Sequence, residues 1–311
     1  MTPAISIVIP AYNESKGIRI ALDNVRDQMD QADESYEIIV IDDGSTDDLW
    51  EVLSRLLPTY SNLRAFRLSR NFGKELALCA GLEHAKGDAI IVMDADMQHP
   101  PTMLARMIAV WRSGEADIVE CTKRSRGKEP LMNKMGSKMF YGMLNNLTGY
   151  NLQGASDFKL LDRKVIQAWE RMGEKNVFFR GMTKWLGFKR VELEFDVHTR
   201  AEGVSRWGFL NLLKLAISAI VSFSSLPLRL VSIFGVMFLV GAVVLGGQTL
   251  YRKMIGDAVT GFTTVIILQL IIGSIIMVSL GIIGEYISAV YQEVKGRPRY
   301  VISRSLENKD A

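Results

Sequence analysis

Ile90-Ile91-Val92-Met93-Asp94-Ala95-Asp96-Met97-Gln98 decides how this chain folds. The first four residues form an unbroken apolar run, as expected of a strand buried on both faces of a parallel sheet. Two carboxylates then arrive one residue apart, which sets Asp94 and Asp96 at the carboxyl edge of that sheet. Ligands of open α/β sheets bind outside that edge. Two hard oxygen ligands there suit Mg²⁺ or Mn²⁺, held jointly by the protein and by the phosphates of a substrate. Asp-x-Asp alone is equally compatible with a solvated acidic turn, and its neighbours decide between the two.

Working outward, Ile5-Ser6-Ile7-Val8-Ile9 reads as a first strand, closed by Pro10 and followed by Ala11-Tyr12-Asn13-Glu14 and a helix over about 16–29. A second strand over 36–41 ends in Asp42-Asp43-Gly44-Ser45-Thr46-Asp47. Gly44 permits a tight turn there, and Ser45, Thr46 or Asp47 can cap a helix near 49–57. A strand over 63–68, a helix over 73–85 and the strand over 89–93 complete a βαβαβαβ alternation. That pattern predicts an α/β fold with a doubly wound, mostly parallel sheet. The acidic clusters at 42–43 and 94–96 then share one edge with the Tyr12-Asn13-Glu14 turn. Carboxylates gathered in one cleft repel unless a cation binds, and a metal–diphosphate ligand meets that need. No Gly-x-Gly-x-x-Gly turn follows the first strand, which argues against an NAD-type Rossmann domain. No Gly-x-x-x-x-Gly-Lys-Ser/Thr loop occurs, which argues against a P-loop NTPase.

The 311 residues suffice for one large domain and a smaller addition. With 37 basic against 34 acidic residues the chain is near neutral, which disfavours a nucleic-acid partner. Cys79 and Cys121 lie among apolar residues and read as buried thiols of a reducing compartment, not as a disulfide or zinc site. His84, His99 and His198 show no metal-ligand spacing. The N-terminus enters the first strand without a signal-peptide pattern. Residues 230–251 and 258–284 carry no charge, and either run is long enough to cross a bilayer.

Val8-Ile9-Pro10-Ala11-Tyr12-Asn13-Glu14, Asp42-Asp43-Gly44-Ser45, Arg70-Asn71-Phe72-Gly73-Lys74 and Asp94-Ala95-Asp96-Met97-Gln98 together resemble the inverting family-2 glycosyltransferases of GT-A fold. Within that family the chain looks like the polyprenyl-phosphate glycosyltransferases. These include dolichol-phosphate mannose synthase and, closer still, the bacterial bactoprenol (undecaprenyl-phosphate) glucosyltransferases. The likeness continues through Ser156-Asp157-Phe158-Lys159-Leu160, Arg200-Ala201-Glu202-Gly203-Val204-Ser205-Arg206-Trp207 and Gly284-Glu285-Tyr286, and is specific for the subfamily but not for the sugar.

The resemblance implies that Pro10, Tyr12, Glu14 and Asp42 hold the base and ribose of a nucleotide sugar. It implies that Asp94 and Asp96 bind the diphosphate through Mg²⁺ or Mn²⁺ acting as a Lewis acid, with Gln98 as a further oxygen ligand. Lys74 and Arg124 add positive charge near those phosphates or, more plainly, are surface residues. Asp157 is the candidate general base. An acceptor phosphate with a second pKa of about 6 is already largely ionised, however, so orienting the acceptor or a cationic side chain is an equally physical role. Arg200, Ser205 and Arg206, with Gly203 at a turn, would hold the acceptor phosphate. The alternative is a juxtamembrane basic cluster without selectivity.

Lys123, Arg124, Arg126, Lys128, Lys134 and Lys138 gather in one segment, and Met132, Met135, Met139, Phe140, Met143 and Leu147 recur at roughly helical spacing. This predicts a basic amphipathic helix at an anionic membrane surface or an acceptor loop; packing of the methionine face on the sheet is the alternative. Asn211, Lys214, Ser218, Ser222 and Ser225 form a polar stripe that predicts an interfacial helix broken at Pro227. Lys295, Arg297, Arg299 and Arg304 predict a cytoplasmic C-terminus, and two spans then return the catalytic domain to the same side. Gly241, Gly246, Gly247, Gly273, Gly281 and Gly284 would allow close helix approach in a hairpin or in a homo-oligomer such as a tetramer.

The expected organisation is a GT-A catalytic domain over 1–206, an interfacial helix over 207–227, two transmembrane helices over 228–290 and a basic cytoplasmic tail over 291–311. The expected function is transfer of one sugar, glucose from UDP-glucose, to undecaprenyl phosphate at the cytoplasmic face of the inner (plasma) membrane. GDP-mannose or a UDP-amino sugar are alternative donors. A processive polysaccharide synthase fits less well, because Gln-x-x-Arg-Trp is absent and two spans are too few for a translocation channel. A non-catalytic sugar-nucleotide sensor or channel subunit would bind nucleotide without turnover.

Overall fold

Strands apolar on both faces must be covered on both, and the first half of the chain does this with alternating helices. The computed structural model describes residues 3–96, 99–123, 156–175, 177–195, 226–256 and 261–308. The described residues fall into two compact units, one holding a sheet with its helices and the other a pair of long C-terminal helices. In the first unit β1 (Ile5–Ala11), β2 (Tyr36–Asp42), β3 (Leu63–Leu68) and β4 (Ala89–Val92) alternate with α1 (Ile18–Ala32), α2 (Leu49–Leu56) and α3 (Lys74–His84). α4 (Met103–Arg112), β5 (Ile118–Lys123), β6 (Lys159–Asp162), α5 (Arg163–Glu170), α6 (Phe179–Trp185) and β7 (Arg190–Phe195) follow. β1 and β4 are buried along their whole length, and β2 from Glu37 onward.

The described strands form one sheet in the order β7-β5-β6-β4-β1-β2-β3-β8, where β8 is Ile302–Glu307. β1 pairs in parallel with β2 and β4, β2 with β3, and β5 with β7, whereas β6 and β8 are antiparallel to their neighbours. The expected mostly parallel α/β sheet is therefore present, with two antiparallel strands built into it. Winding proceeds from β1 through β2 to β3 and then returns to the other side of β1 for β4. Such a reversal opens a crevice at the carboxyl ends of the two strands that flank it. α3 lies close over this region because residue 81 is glycine; a Cβ there would stand 2.2 Å from Cγ1 of Val8 in β1.

The second unit contains α7 (Leu226–Met254) and α8 (Phe262–Val294). Within them Pro227–Met254 and Leu268–Val294 are long and apolar enough to cross a membrane, with mean hydropathies of 2.4 and 2.1. Val236, Leu239, Val243, Met277 and Val278 are among their many exposed apolar side chains. A core helix of a water-soluble domain would have these covered, and a lipid surround leaves them at no disadvantage. The expected spans are thus helical, with corrected limits. Pro227 does not precede the first span but sits in its first turn, where its missing N–H has no helical partner to lose. α8 runs past residue 290 to Val294. At Gly241, Gly246, Gly247, Gly273, Gly281 and Gly284 no atom of the described residues, apart from the helix's own nearby backbone, lies within 4 Å of where a Cβ would be. Among the described residues these glycines are therefore not points of close approach between α7 and α8.

The tail expected over 291–311 also needs correction. β8 pairs antiparallel with β3, Ser69 N donates to Val301 O at 2.8 Å, and Arg64 meets Glu307 at 3.1 Å. An exposed β3 edge invites pairing, and the returning chain covers it. Of the interfacial helix expected over 207–227, residues 207–225 lie outside the described residues, as does the basic, methionine-rich segment after Lys123.

Candidate active site

The crevice is walled by the loops that leave β1, β2, β3 and β4. Pro10, Ala11, Tyr12, Glu14, Asp43, Asn71, Gly73, Lys74, Ala77, Asp94, Ala95 and Asp96 line a cavity of about 300 Å³. Local hydrogen bonds fix these loops to one another. Asn13, at φ 57°, accepts from Thr46 N at 2.8 Å through its side-chain oxygen, and its own N–H donates to Ser45 Oγ at 3.0 Å. Asp47 accepts from Ser15 N at 3.0 Å and from Leu49 N at 3.2 Å, so it ties the first loop to the start of α2. Asp43 accepts from Phe72 N at 2.7 Å and Gly73 N at 2.9 Å, which holds Asn71 and Lys74 at the cavity wall. Gly44 makes this contact possible: at φ +65° it passes so close to Arg70 that a Cβ would lie 2.3 Å from its carbonyl carbon.

The sheet register brings the acidic residues together. β4 and β6 pair Val92 with Lys159. Continued two residues past the ladder, that register sets Asp157 beside Asp94. Like charges so placed repel, and Lys74 from the start of α3 enters between them. Its Nζ lies 2.6 Å from Asp94 Oδ1 and 2.7 Å from Asp157 Oδ2. On its other side Asp157 is gripped by Arg180, whose Nε and Nη2 donate to the two carboxylate oxygens at 2.7 and 2.8 Å. Asp157 is 5% exposed. Burial alone would raise its pKa, but the hydrogen bonds from Arg180 and the charges of Lys74 and Arg180 prevail and hold it far below the usual carboxylate range. Burial likewise opposes the charge on Lys74, and Asp94 and Asp157 outweigh it to push its pKa up. Asp94 N donates to His99 Nδ1 at 3.3 Å, and the His99 ring stacks on Phe158 at 4.5 Å, which ties Asp94 through His99 to the residue next to Asp157.

A divalent cation suits this arrangement. Asp94 and Asp96 offer hard oxygens in a crevice lined by four carboxylates, those of Glu14, Asp43, Asp94 and Asp96, against the one ammonium group of Lys74. Among the described residues no three metal-ligating side chains converge. Mg²⁺ and its like commonly accept such a site, where one or two carboxylates bind and substrate phosphates supply further ligands.

Residues 6–169 match the glycosyl transferase family 2 model. The chain belongs to glycosyl transferase family 2. It is 36% identical to the uncharacterized glycosyltransferase YkcC of Bacillus subtilis, covering 98% of this chain and 95% of that one. It is 36% identical to the uncharacterized glycosyltransferase sll0501 of Synechocystis, covering 97% and 96%. A prophage bactoprenol glucosyl transferase homolog of Escherichia coli is 33% identical over 96% of this chain and 98% of its own. Among solved structures, a mannosyltransferase of Pyrobaculum calidifontis in complex with GDP-Man and Mn²⁺ covers 83% of this chain and 84% of its own, at 18% identity and a TM-score of 0.48.

In this glycosyltransferase Pro10, Tyr12, Glu14, Lys74, Asp94 and Asp96 share one cavity, and Asp157 joins them through Lys74. Asp42, expected to help hold the base and ribose, is not among the residues that line the cavity. It is fully buried, accepts from Ser45 N at 2.8 Å through Oδ1 and faces Arg67 Nε at 3.3 Å with Oδ2, and Asp43 takes the place on the wall. Gln98, Arg124, Arg200, Ser205 and Arg206 lie outside the described residues. Asp43, Asn71 and Arg180 carry parts of the site that motif reading did not single out. Asp43 and Asn71 stood inside quoted motifs, whereas Arg180 has no spacing signal at all.

Proposed function

We propose that this membrane-associated glycosyltransferase moves one sugar, with inversion, from a nucleotide donor to undecaprenyl phosphate, and that the donor is UDP-glucose. The observation that carries the reading is the Asp94–Lys74–Asp157–Arg180 chain of charges, which starts on the wall of the crevice at Asp94 and Lys74. The bactoprenol glucosyl transferases among the full-length relatives support the lipid acceptor and the sugar. Asp94 and Asp96, with Gln98, would hold Mg²⁺ or Mn²⁺, which supplies Lewis-acid neutralisation of the departing diphosphate when bound. Tyr12, half-exposed at the wall, offers a ring face to the base, and Glu14 and Asp43 offer acceptors to the ribose.

The reaction needs little proton chemistry. An oxygen of the acceptor phosphate attacks the anomeric carbon from the face opposite the diphosphate. The carbon–oxygen bond to the diphosphate breaks, and its electron pair leaves with the nucleoside diphosphate. A phosphate with a second pKa of about 6 arrives already ionised. Asp157, held ionised by two cations, is a poor proton acceptor near neutral pH. Of its two expected roles, the geometry favours orientation: it sets Lys74 toward the donor phosphates and keeps Arg180 in place. Arg200, Ser205 and Arg206 would meet the acceptor phosphate. The return of β8 to the sheet supports an even number of crossings by the segment between, with both termini on the cytoplasmic side. The glycine positions left uncovered in a single chain suit a homo-oligomer.

The test uses membranes containing the protein, undecaprenyl phosphate and labelled UDP-glucose, a UDP-amino sugar or GDP-mannose. Label entering an organic-extractable lipid from UDP-glucose is the expected result. Transfer from another donor corrects the sugar. Label in polymer, or nucleotide binding without transfer, refutes the reading in favour of a synthase or a sensor.

A further inference from the structure

Behind the Asp157–Arg180 pair lies a second set of charges that the reaction does not touch. Glu120 of β5 and Lys159 of β6 are register partners, and both are 0% exposed. Glu120 Oε1 lies 3.3 Å from Lys159 Nζ and accepts from Ser156 N at 3.3 Å. Its Oε2 accepts from Arg190 Nη1 of β7 at 3.0 Å. Lys159 Nζ also donates to Thr183 Oγ1 at 3.1 Å, and Arg190 Nη2 donates to the Thr183 carbonyl at 2.9 Å. One carboxylate therefore ties three strands to α6.

Stability does not account for such a cluster. Removing charges from water is expensive, and replacing buried ion pairs by apolar groups of similar volume is often neutral or stabilising. Burial pushes the Lys159 pKa down to about 8 against the pull of Glu120, with Arg190 adding to the fall, so its charge is only partly compensated. Geometry accounts for it better. Asp157 and Lys159 are two apart on the chain entering β6 and share a face. Arg180 and Thr183 are three apart on α6 and share a face. Arg180 grips Asp157 while Thr183 grips Lys159, so strand and helix are pinned at two points. The N–H that Glu120 fixes belongs to Ser156, the residue before Asp157.

We propose that Glu120 is a positioning residue: it locks α6 and the start of β6 in register, so that Arg180 and Lys74 hold Asp157 at the reacting end of the donor. The proposal rests on the transfer reading given above. A group outside the crevice then governs turnover, because a misplacement of about 1 Å at a reacting centre can cost about 100-fold.

Two variants test this. Glu120→Gln keeps an acceptor for Ser156 N and removes the charge that Arg190 and Lys159 share. Glu120→Gln/Lys159→Met removes both charges of the register pair and puts apolar volume in place of the ammonium. In the full-length protein both variants should bind UDP with Mn²⁺ as wild type does, turn over about 100-fold more slowly, and show faster amide exchange in Phe179–Trp185. The double variant should unfold no more easily than wild type. Wild-type turnover in either folded variant, unchanged exchange in that helix, or failure of both variants to fold would overturn the positioning role. If wild type itself transfers no sugar, the transfer reading fails, while the exchange comparison still decides whether Glu120 holds α6.

Discussion

Glu75 should set a measurable pH dependence of stability. It follows Lys74 in the first turn of α3 and accepts from Phe179 N at 2.8 Å. Burial, and after it the charge of Asp157, push its carboxyl up to about 7 from an ordinary 4.5. A carboxyl raised on folding binds its proton more tightly in the folded chain. Below pH 4.5 both states hold the proton and folding incurs no penalty from it; the penalty grows as pH rises and is complete above about 7. Glu75→Gln retains an acceptor for Phe179 N and abolishes the titration. Across the interval from 4.5 to about 7, at about 1.4 kcal/mol per pH, the variant should gain about 3 kcal/mol over wild type. This is an upper bound, because part of the side chain still touches solvent. Urea unfolding of the detergent-solubilised protein at pH 4.5 to 8, followed by tryptophan fluorescence, reads it directly, since all 5 tryptophans precede α7. Parallel stability profiles for the two proteins, or a gap that opens toward acid, would refute the reasoning.

Asp96→Asn should abolish transfer while leaving the melting temperature unchanged, and EDTA should do the same reversibly with Mn²⁺ or Mg²⁺; a chelator-indifferent enzyme removes the metal from the mechanism. Gly44→Ala forces a Cβ onto Arg70 at a positive φ, which costs about 1–3 kcal/mol. It should weaken nucleotide binding at least about tenfold by displacing the loop that carries Asn71 and Lys74, as isothermal titration would show. Reporters fused after Ala311 and before Met1 should both report cytoplasm, and one inserted between Gly256 and Gly261 the opposite side. Termini on opposite sides would sink the two-span topology.

Much of the sheet was legible because β1, β2 and β4 are buried on both faces and so read as continuous apolar runs. The loops after them were legible because their chemistry is local: Asp-x-Asp, Asp-Asp-Gly-Ser and Tyr-Asn-Glu each lie within a few residues. The other half of the site depends on pairing at a distance. Lys159 is a lysine in the middle of a buried strand, and only Glu120 and Thr183, reached through the sheet, explain its tolerance there. Arg180 meets Asp157 across 23 residues with no periodic signal between them. Asp42 and Asp43 are adjacent acids, and which one faces the crevice depends on a turn geometry that spacing does not encode. β8 was hidden because an edge strand buries little: in Ile302-Ser303-Arg304-Ser305-Leu306-Glu307 only Ile302 and Leu306 are even half-buried.

That last strand also sets an order of events during synthesis. β3 is complete at Leu68, and its partner begins at Ile302. At 5–20 residues per second, a ribosome needs roughly 10–50 s to bridge the two. Through that interval the nascent sheet carries an open margin, and the strand that seals it emerges only after both apolar helices have been made. Completion of the first unit thus waits on synthesis of the second. A polypeptide stalled or clipped before residue 302 would expose an unsatisfied row of backbone donors and acceptors, a mark by which proteases and chaperones could sort unfinished molecules from finished ones.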